Sequence, residues 1–479
     1  MRSGGFHTGP PGEAVRPDPP PQPRSLIEGP IAPALISFSL PLLTTNLLHA
    51  VAGTWTAIWV SHVLGPGALI AVVNANVFVF MMIGTFMGVG MASGIAIGQS
   101  FGADDEASVK RVVGASVGFA LTTGIAIGAV GLVFTPFIVD LVRIPPEARS
   151  YAITFVRITC LALPTLFVFI FMMMMMRGLG DARTPFRFTV LWIGLGLVLS
   201  PLLLTGWGPF PRLGIAGAAL AGLIANATAL AGMIVYLYRN DMPLALRGPE
   251  LRYLRPDRDL LIMLVQRGAP MGAETIIVQG AYFVLLSMVN AHGAETAAAY
   301  GGAAQLWGYV QMPAIALSAS MSAMAAQNIG ANRWDRIDAI ALRGCLIGFA
   351  VTVGAALILY ALGDLPLRLF LPQGGPSLEI AREINLIVLW SWSMLAITAG
   401  LSAMVRANGA MIPPTVVFFI TMWLFRVPFA SALQPMFGVS AIWWSFPVGT
   451  TTSAALAYAY YRWGRWRRNA LLMSGSGGG

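Results

Sequence analysis

The sequence predicts an all-α polytopic membrane protein, with about twelve transmembrane helices arranged as two parallel six-helix bundles. Three observations carry the prediction. Only 10% of the 479 residues are charged and 57% are hydrophobic, where about a quarter of a soluble chain is charged. Apolar stretches of at least ~18 residues, each able to cross a ~30 Å hydrocarbon core as a helix, recur along nearly the whole length. The polar stop "QSFGADDE" at 99–106 returns as "QNIGAN" at 327–332, 228 residues later. Backbone groups find no water inside a bilayer, so repeated apolar runs of this length fold as a helical bundle.

Near its start the chain reads "GPPGEAVRPDPPPQPRS" (9–25), which is proline-rich and has no apolar core, so residues 1–30 read as a disordered cytoplasmic tail and not a signal peptide. The first helix, 33–61, carries Pro41 and ends before Gly65. The second, 67–100, has glycines at 84, 88, 90, 94 and 98, a ridge of small residues for close helix approach. At its stop, Gly102 suits the left-handed position that closes a helix. Asp104 is expected to accept from the free N–H groups opening the third helix, 107–138. The fourth, 147–176, runs into "FMMMMMRG". Five consecutive methionines cover every face of a helix, so packing explains them better than a soft-metal or drug-binding surface. "RGLGDARTP" separates the fourth helix from the fifth, 184–206, and "LGIAGAAL" opens the sixth, 213–239. A hydrophilic segment with five arginines, "YRNDMPLALRGPELRYLRPDRD", follows, and its core, 241–257, reads as a cytoplasmic linker. Six more helices, 259–290, 296–328, 335–362, 378–405, 412–434 and 439–463, precede a C-terminal tail at 466–479.

The second six repeat the first. Pro270 answers Pro41, Gly293 answers Gly65, and Gly330 with Asn332 answers Gly102 with Asp104. Arg406, Gly409 and Pro414 answer Arg177, Gly180 and Pro185, and Gly438 answers Gly214, all at offsets of 224–229 residues. Six helices are an even number, so bundles 31–240 and 258–465 enter the membrane from the same side as parallel repeats.

Net charge is +9, but its placement argues against a nucleic-acid footprint. Only Arg143, Arg149, Arg212, Arg368 and Arg382 fall on one side, and Arg157 and Arg426 lie within helices; the other basic residues occupy the opposite loops and the two ends. The positive-inside rule then places both termini in the cytoplasm. Arg157 and Arg426 are expected to snorkel or to be structurally paired. Cys160 and Cys345 lie in separate helices without metal-ligand spacing, so no metal site is expected. His49 reads as a satisfied core residue.

Among 20 acidic residues, Glu274 is the exception, near the centre of the seventh helix while the rest sit in tails, loops or close to helix ends. An ionised carboxylate at that depth costs about 3 kcal/mol or more unless paired, hydrated or protonated, which makes it a functional candidate by default. Pro270, one turn earlier, opposes the carbonyl of Gln266 and kinks the helix. Glu274 is expected to be the cation-coupling residue. Removal from water favours a carboxyl's protonated form. Sodium needs several hard oxygens, so a proton is the expected coupling ion. One charge moved across 100 mV is worth ~2.3 kcal/mol, enough in principle to drive transport. Tyr282 lies near the same helix face, and Asn46, Asn74 and Gln305 are further candidates to line a cleft.

The duplicated "IGQSFGADD" and "AAQNIGANR", "MRGLGDARTP" with its echo "VRANGAMIPP", and "LGIAGAALAGLIAN" (213–226) together resemble the multidrug and toxic compound extrusion (MATE) family over roughly 31–465. The resemblance implies two bundles around a central cleft and export of organic cations and drugs against inward proton or sodium flow. It also implies a bacterial cytoplasmic membrane, no cofactor beyond the coupling ion, and partners limited to small organic cations and lipid around a monomer. One branch of the family carries a glutamate in the same Pro-x-x-x-Glu setting. Two departures stand out: "GTWTAIWV" (53–60) has Thr54 and Thr56 where members often carry an aspartate, and "WSWSMLAITAG" (390–400) lacks the acid of that branch. A flippase for lipid-linked precursors is the alternative within the superfamily. An enzyme would need clustered acids, histidines or a nucleophile, which the sequence does not offer.

Overall fold

In the computed structural model the described residues are 26–468, apart from 142–145, 208–210, 256 and 372–373; the side chains of several residues in the second helix are also outside the description. The first half comprises α1 (Ile31–Leu64), α2 (Pro66–Gly102), α3 (Glu106–Leu141), α4 (Pro146–Gly178), α5 (Arg183–Thr205) and α6 (Ile215–Arg239). The second comprises α7 (Arg258–Asn290), α8 (Ala294–Gly330), α9 (Trp334–Leu362), α10 (Pro376–Ala407), α11 (Ile412–Phe437) and α12 (Ser440–Trp463). Nine helices among the described residues are long and apolar enough on composition alone to cross a membrane.

Two helices depart from the uniform α-helix expected. α10 tightens to a 3-10 turn at Leu389–Ser391. α11 widens to a π segment over Ile420–Arg426, immediately before Pro428, whose ring and missing N–H disrupt a regular α turn.

The duplication is visible in backbone angles. Gly65 and Gly293 have φ of 86° and 100°, Gly180 and Gly409 85° and 87°, and Gly214 and Gly438 57° and 59°. At the repeated stop, the expected left-handed glycine is corrected. Gly102 and Gly330 end their helices, and the left-handed residues are Asp104 (φ 55°) and Asn332 (φ 56°). The following N–H groups, of Asp105 and Arg333, donate back to Ser100 O (3.0 Å) and Asn328 O (2.7 Å), the Schellman closure. The carboxylate that accepts from the start of α3 is Asp105, from Ser108 N at 2.9 Å, and not Asp104.

Gly102 and Gly330 are needed for a different reason: the two stops pack on each other. A Cβ at Gly102 would run into the carbonyl of Gln327, and one at Gly330 into the carbonyl of Gln99. Each glutamine then crosses to the other half. Gln99 Nε2 donates to Ala407 O (2.6 Å) at the end of α10, and Gln327 Nε2 to Gly178 O (2.8 Å) at the end of α4. Both glutamines are buried. The same end of the molecule holds the linker. Lys110 of α3 donates to Ala245 O (2.6 Å) and pairs with Glu250 at 3.0 Å.

Residues 26–30 correct the N-terminal tail boundary. Leu26 is buried, its N–H donates to Gln327 Oε1 (2.9 Å), and its carbonyl accepts from Asn328 Nδ2 (3.1 Å). The C-terminal boundary also shifts, because Trp466 is fully buried and its carbonyl accepts from Asn408 Nδ2 at 2.8 Å. Residues 1–25 and 469–479 of the expected tails lie outside the described residues.

Overpacking a close helix contact costs about 1–3 kcal/mol, so Gly102→Val is expected to lower the melting temperature and part the halves. Alkylation of Ala326→Cys, beside this crossing, reports it; equal protection with and without Gly102→Val would remove the crossing as the closing contact.

The backbone N–H of Arg247 and then the Lys110 ammonium hold the Glu250 carboxyl below its usual range. Linker docking is therefore fully present above the carboxyl's undocked pKa and is lost as pH falls through the lower, docked value. Hydrogen exchange at 248–254 should rise with acidification, and Glu250→Gln should show the raised exchange already at neutral pH.

Candidate functional site

Among the described residues, the partners of the deep carboxylate come from the second half. Pro270 lies inside the continuous helix α7, and its carbonyl accepts from Thr415 Oγ1 of α11 at 3.0 Å. One turn on, Glu274 presents both oxygens to Nη2 of Arg406, the last arginine of α10, each at 2.9 Å. Thr415 Oγ1 also lies 3.5 Å from Glu274 Oε2. Glu274 and Arg406 are 16% and 13% exposed, enough burial to strengthen the pairing while leaving solvent a route to the carboxylate. Charge-assisted contacts of this kind are about twice as strong as neutral ones. The sequence placed Arg406 in a cytoplasmic motif and gave no sign that it reaches Glu274.

α7 also makes a contact between halves. Gly88 of α2 and Gly268 of α7 touch backbone to backbone, so a Cβ on either would overlap the other helix. Glu274 therefore sits less than two turns from the interface, on the helix that makes it. Below it, Arg267 Nη1 donates to Gly409 O at 2.6 Å and ties the same helix to the loop after α10.

The duplication is broken at this site. Thr45 of α1 stands 229 residues before Glu274, as Pro41 stands before Pro270. The Thr45 hydroxyl donates to Pro41 O at 2.8 Å within its own helix. Arg177, the counterpart of Arg406, lines a cavity of ≈ 200 Å³ between the halves.

The other expected residues scatter. Asn46 does line that cavity. Tyr282 lies farther along α7, its ring centroid 4.9 Å from the Arg426 guanidinium carbon. Gln305 is exposed on α8, and the Asn74 side chain lies outside the described residues. Arg157 is exposed. Arg426 is not: it is 1% exposed, sits 3.5 Å from the Phe446 ring centroid and contacts Met422 Sδ at 3.5 Å. Aromatic faces stabilise a cation in such a setting. Four of the five methionines are buried as packing residues, and Met174 faces the cavity between halves.

A second cavity, ≈ 330 Å³, lies within the first half. His49 is on its wall, edge-on to Trp192 at 5.3 Å, and so is not the core residue expected. Asn226 and Ser200 line the same cavity with buried polar atoms that have no protein partner. Nothing in the apolar runs around Asn226 and Ser200 marks them out in sequence.

The MatE family model matches residues 41–202 and 270–431, one copy per half. The chain is 32% identical over 436 residues to the probable multidrug resistance protein YoeA of Bacillus subtilis, covering 91% of this chain and 94% of that protein. It is 24% identical over 434 residues to the multidrug export protein MepA of Staphylococcus haemolyticus, covering 90% and 93%. Among solved structures, the outward-facing conformation of a multidrug resistance MATE family transporter of the MOP superfamily superposes with a TM-score of 0.83, at 20% identity, over 91% of this chain and 96% of that one. The two-bundle, twelve-helix fold, the family match in both halves and the full-length relatives agree: this chain belongs to the MatE family of multidrug and toxic compound extrusion transporters.

Proposed function

We propose that this transporter exports organic cations and drugs from the bacterial cytoplasm, exchanging them for protons through Glu274. The observation that carries the reading is the Glu274–Arg406 pair, which joins α10 to the helix that packs against the first half. Protonation of Glu274 cancels one charge and leaves Arg406 without its partner. That weakens the tie between α7 and α10 and loads strain onto the glycine contact with α2. A cationic substrate competes with Arg406 for the same carboxylate, so proton and drug are alternative ligands of one site. Sodium fits less well, because it takes several hard oxygen ligands, and Thr415 Oγ1 is the further side-chain oxygen near the carboxylate among the described residues.

The bundles 31–240 and 258–465 would rock about the cleft as a monomer, joined by the 241–257 linker. The arginines of that linker support a cytoplasmic position for it and for both termini under the positive-inside rule. The names of the relatives, multidrug resistance and multidrug export, support drugs as cargo and transport without an enzymatic step. A flippase for lipid-linked precursors is the second reading, favoured by Arg177 and Arg426, which have no carboxylate partner among the described residues.

The test is dye export by purified protein in liposomes under separate pH and sodium gradients. Transport should follow the pH gradient and fall at least tenfold in Glu274→Gln. That variant leaves Arg406 unpaired, which costs about 3 kcal/mol where burial is complete, so Glu274→Gln/Arg406→Met serves as the folded control and should be equally inactive. Wild-type rates in the double variant under either gradient would sink the reading.

A further inference from the structure

We propose that Arg177 anchors an anion subsite between the halves, one that takes the carboxylate of a small amphipathic ligand. The inference extends the export reading to a second chemical group on the ligand and depends on no coupling step.

Arg177 and Arg406 close the fourth helix of their respective halves and are repeat equivalents. Arg406 has Glu274. Arg177 has no carboxylate within ion-pair distance among the described residues, because Thr45 occupies the position that would supply one. What it has is poor: Nη1 lies 3.9 Å from Met174 Sδ, and Nε is buried with no partner. A guanidinium carries five donors and stays charged at any relevant pH, and a buried cation left unmatched is strongly unfavourable.

The space beside it fits an anion with an apolar body. The ≈ 200 Å³ cavity takes Asn46 and Ser322 as neutral polar groups and Met87, Met91 and Met174 as pliable apolar walls. No acidic side chain is among its lining residues. A planar carboxylate matches the guanidinium fork in two-point contact, and Asn46 and Ser322 are donors for its remaining lone pairs. Asn46 belongs to the first half and Ser322 to the second, so a ligand there touches both. The neighbouring residue, Gly178, receives the cross-brace from Gln327. Occupancy of the cavity is thereby linked to the contact that closes the linker end.

The experiment uses two probes of one shape, 1-naphthoate and 1-naphthamide, titrated calorimetrically into the full chain in phosphatidylcholine nanodiscs. Wild type should bind the carboxylate about ten- to hundredfold tighter than the amide, the range of a charge-assisted contact. Arg177→Met removes an unmatched charge and is expected to fold; it should bind both probes alike, with amide affinity unchanged. No preference in wild type, or a preference that survives in Arg177→Met, would overturn the proposal. So would loss of naphthoate binding in discs enriched in phosphatidylglycerol, which would identify a lipid phosphate as the occupant. Binding is read at equilibrium without a gradient, so a negative result leaves proton coupling through Glu274 standing.

Discussion

Two copies of one loop meet across the molecule, and the arrangement of both halves depends on that crossing. Lipid is as apolar as leucine, so no hydrophobic gain drives one transmembrane helix onto another; close packing and hydrogen bonds must do it. Gly102 and Gly330 let the backbones of α2 and α8 approach to carbonyl contact. That approach brings Gln99 and Gln327 within reach of the opposite half. A buried amide without partners is costly, and here each one donates to a carbonyl that an α-helix end leaves free. These carbonyls, Gly178 and Ala407, each follow an arginine. The crossing thus fixes the height and direction of Arg177 and Arg406 together, and the charged features of the interior inherit their positions from it.

A duplicated bundle with a faithful two-fold would place equal charges on both sides. This chain keeps the two-fold in its backbone, where glycine φ values agree within a few degrees at Gly180/Gly409 and Gly214/Gly438, and abandons it at one side chain. Glu274 against Thr45 converts one arginine into an ion pair and leaves the other facing a cavity. The halves are therefore alike in backbone and different in the charge they carry.

Much of this was legible in the sequence because bilayer physics writes large patterns. Element ends agree with the expected spans to within about three residues, since Gly, Pro and charge are the only punctuation available in apolar runs. Glu274 stood out for the same reason. The sequence hid contacts whose partners are hundreds of residues apart. Arg406 reads as one more cytoplasmic arginine until α10 lies against α7, and Gly102 reads as a helix closer until α8 supplies the carbonyl that excludes a Cβ. His49 was misjudged, and the sequence left Arg426 open between snorkelling and pairing, because solitary polar residues in apolar helices carry no directional signal: one faces a cavity, the other the rings of Tyr282 and Phe446.

The position of α7 connects the charge to the motion. A carboxylate deep in a rigid core would titrate without consequence, and a contact between halves without a titratable group would never be told when to part. α7 carries both, with Gly268 against α2 and Glu274 against Arg406. Packed interfaces respond to small displacements by switching between discrete arrangements, because their close packing tolerates no continuous deformation. Losing the ion pair removes a tie on α7, and elsewhere the helix meets α2 by backbone contact at Gly88 and Gly268, where a shift of a fraction of an ångström already costs packing. Pro270 lies between the two points and breaks the helical hydrogen bonding there, so the segment bearing Glu274 can tilt without dragging the whole helix. Thr415 holds the Pro270 carbonyl from α11 and sets the pivot. The charge, the proline and the interface thus lie within two turns of one helix, a short mechanical path from a change of charge at Glu274 to the packing of the two bundles.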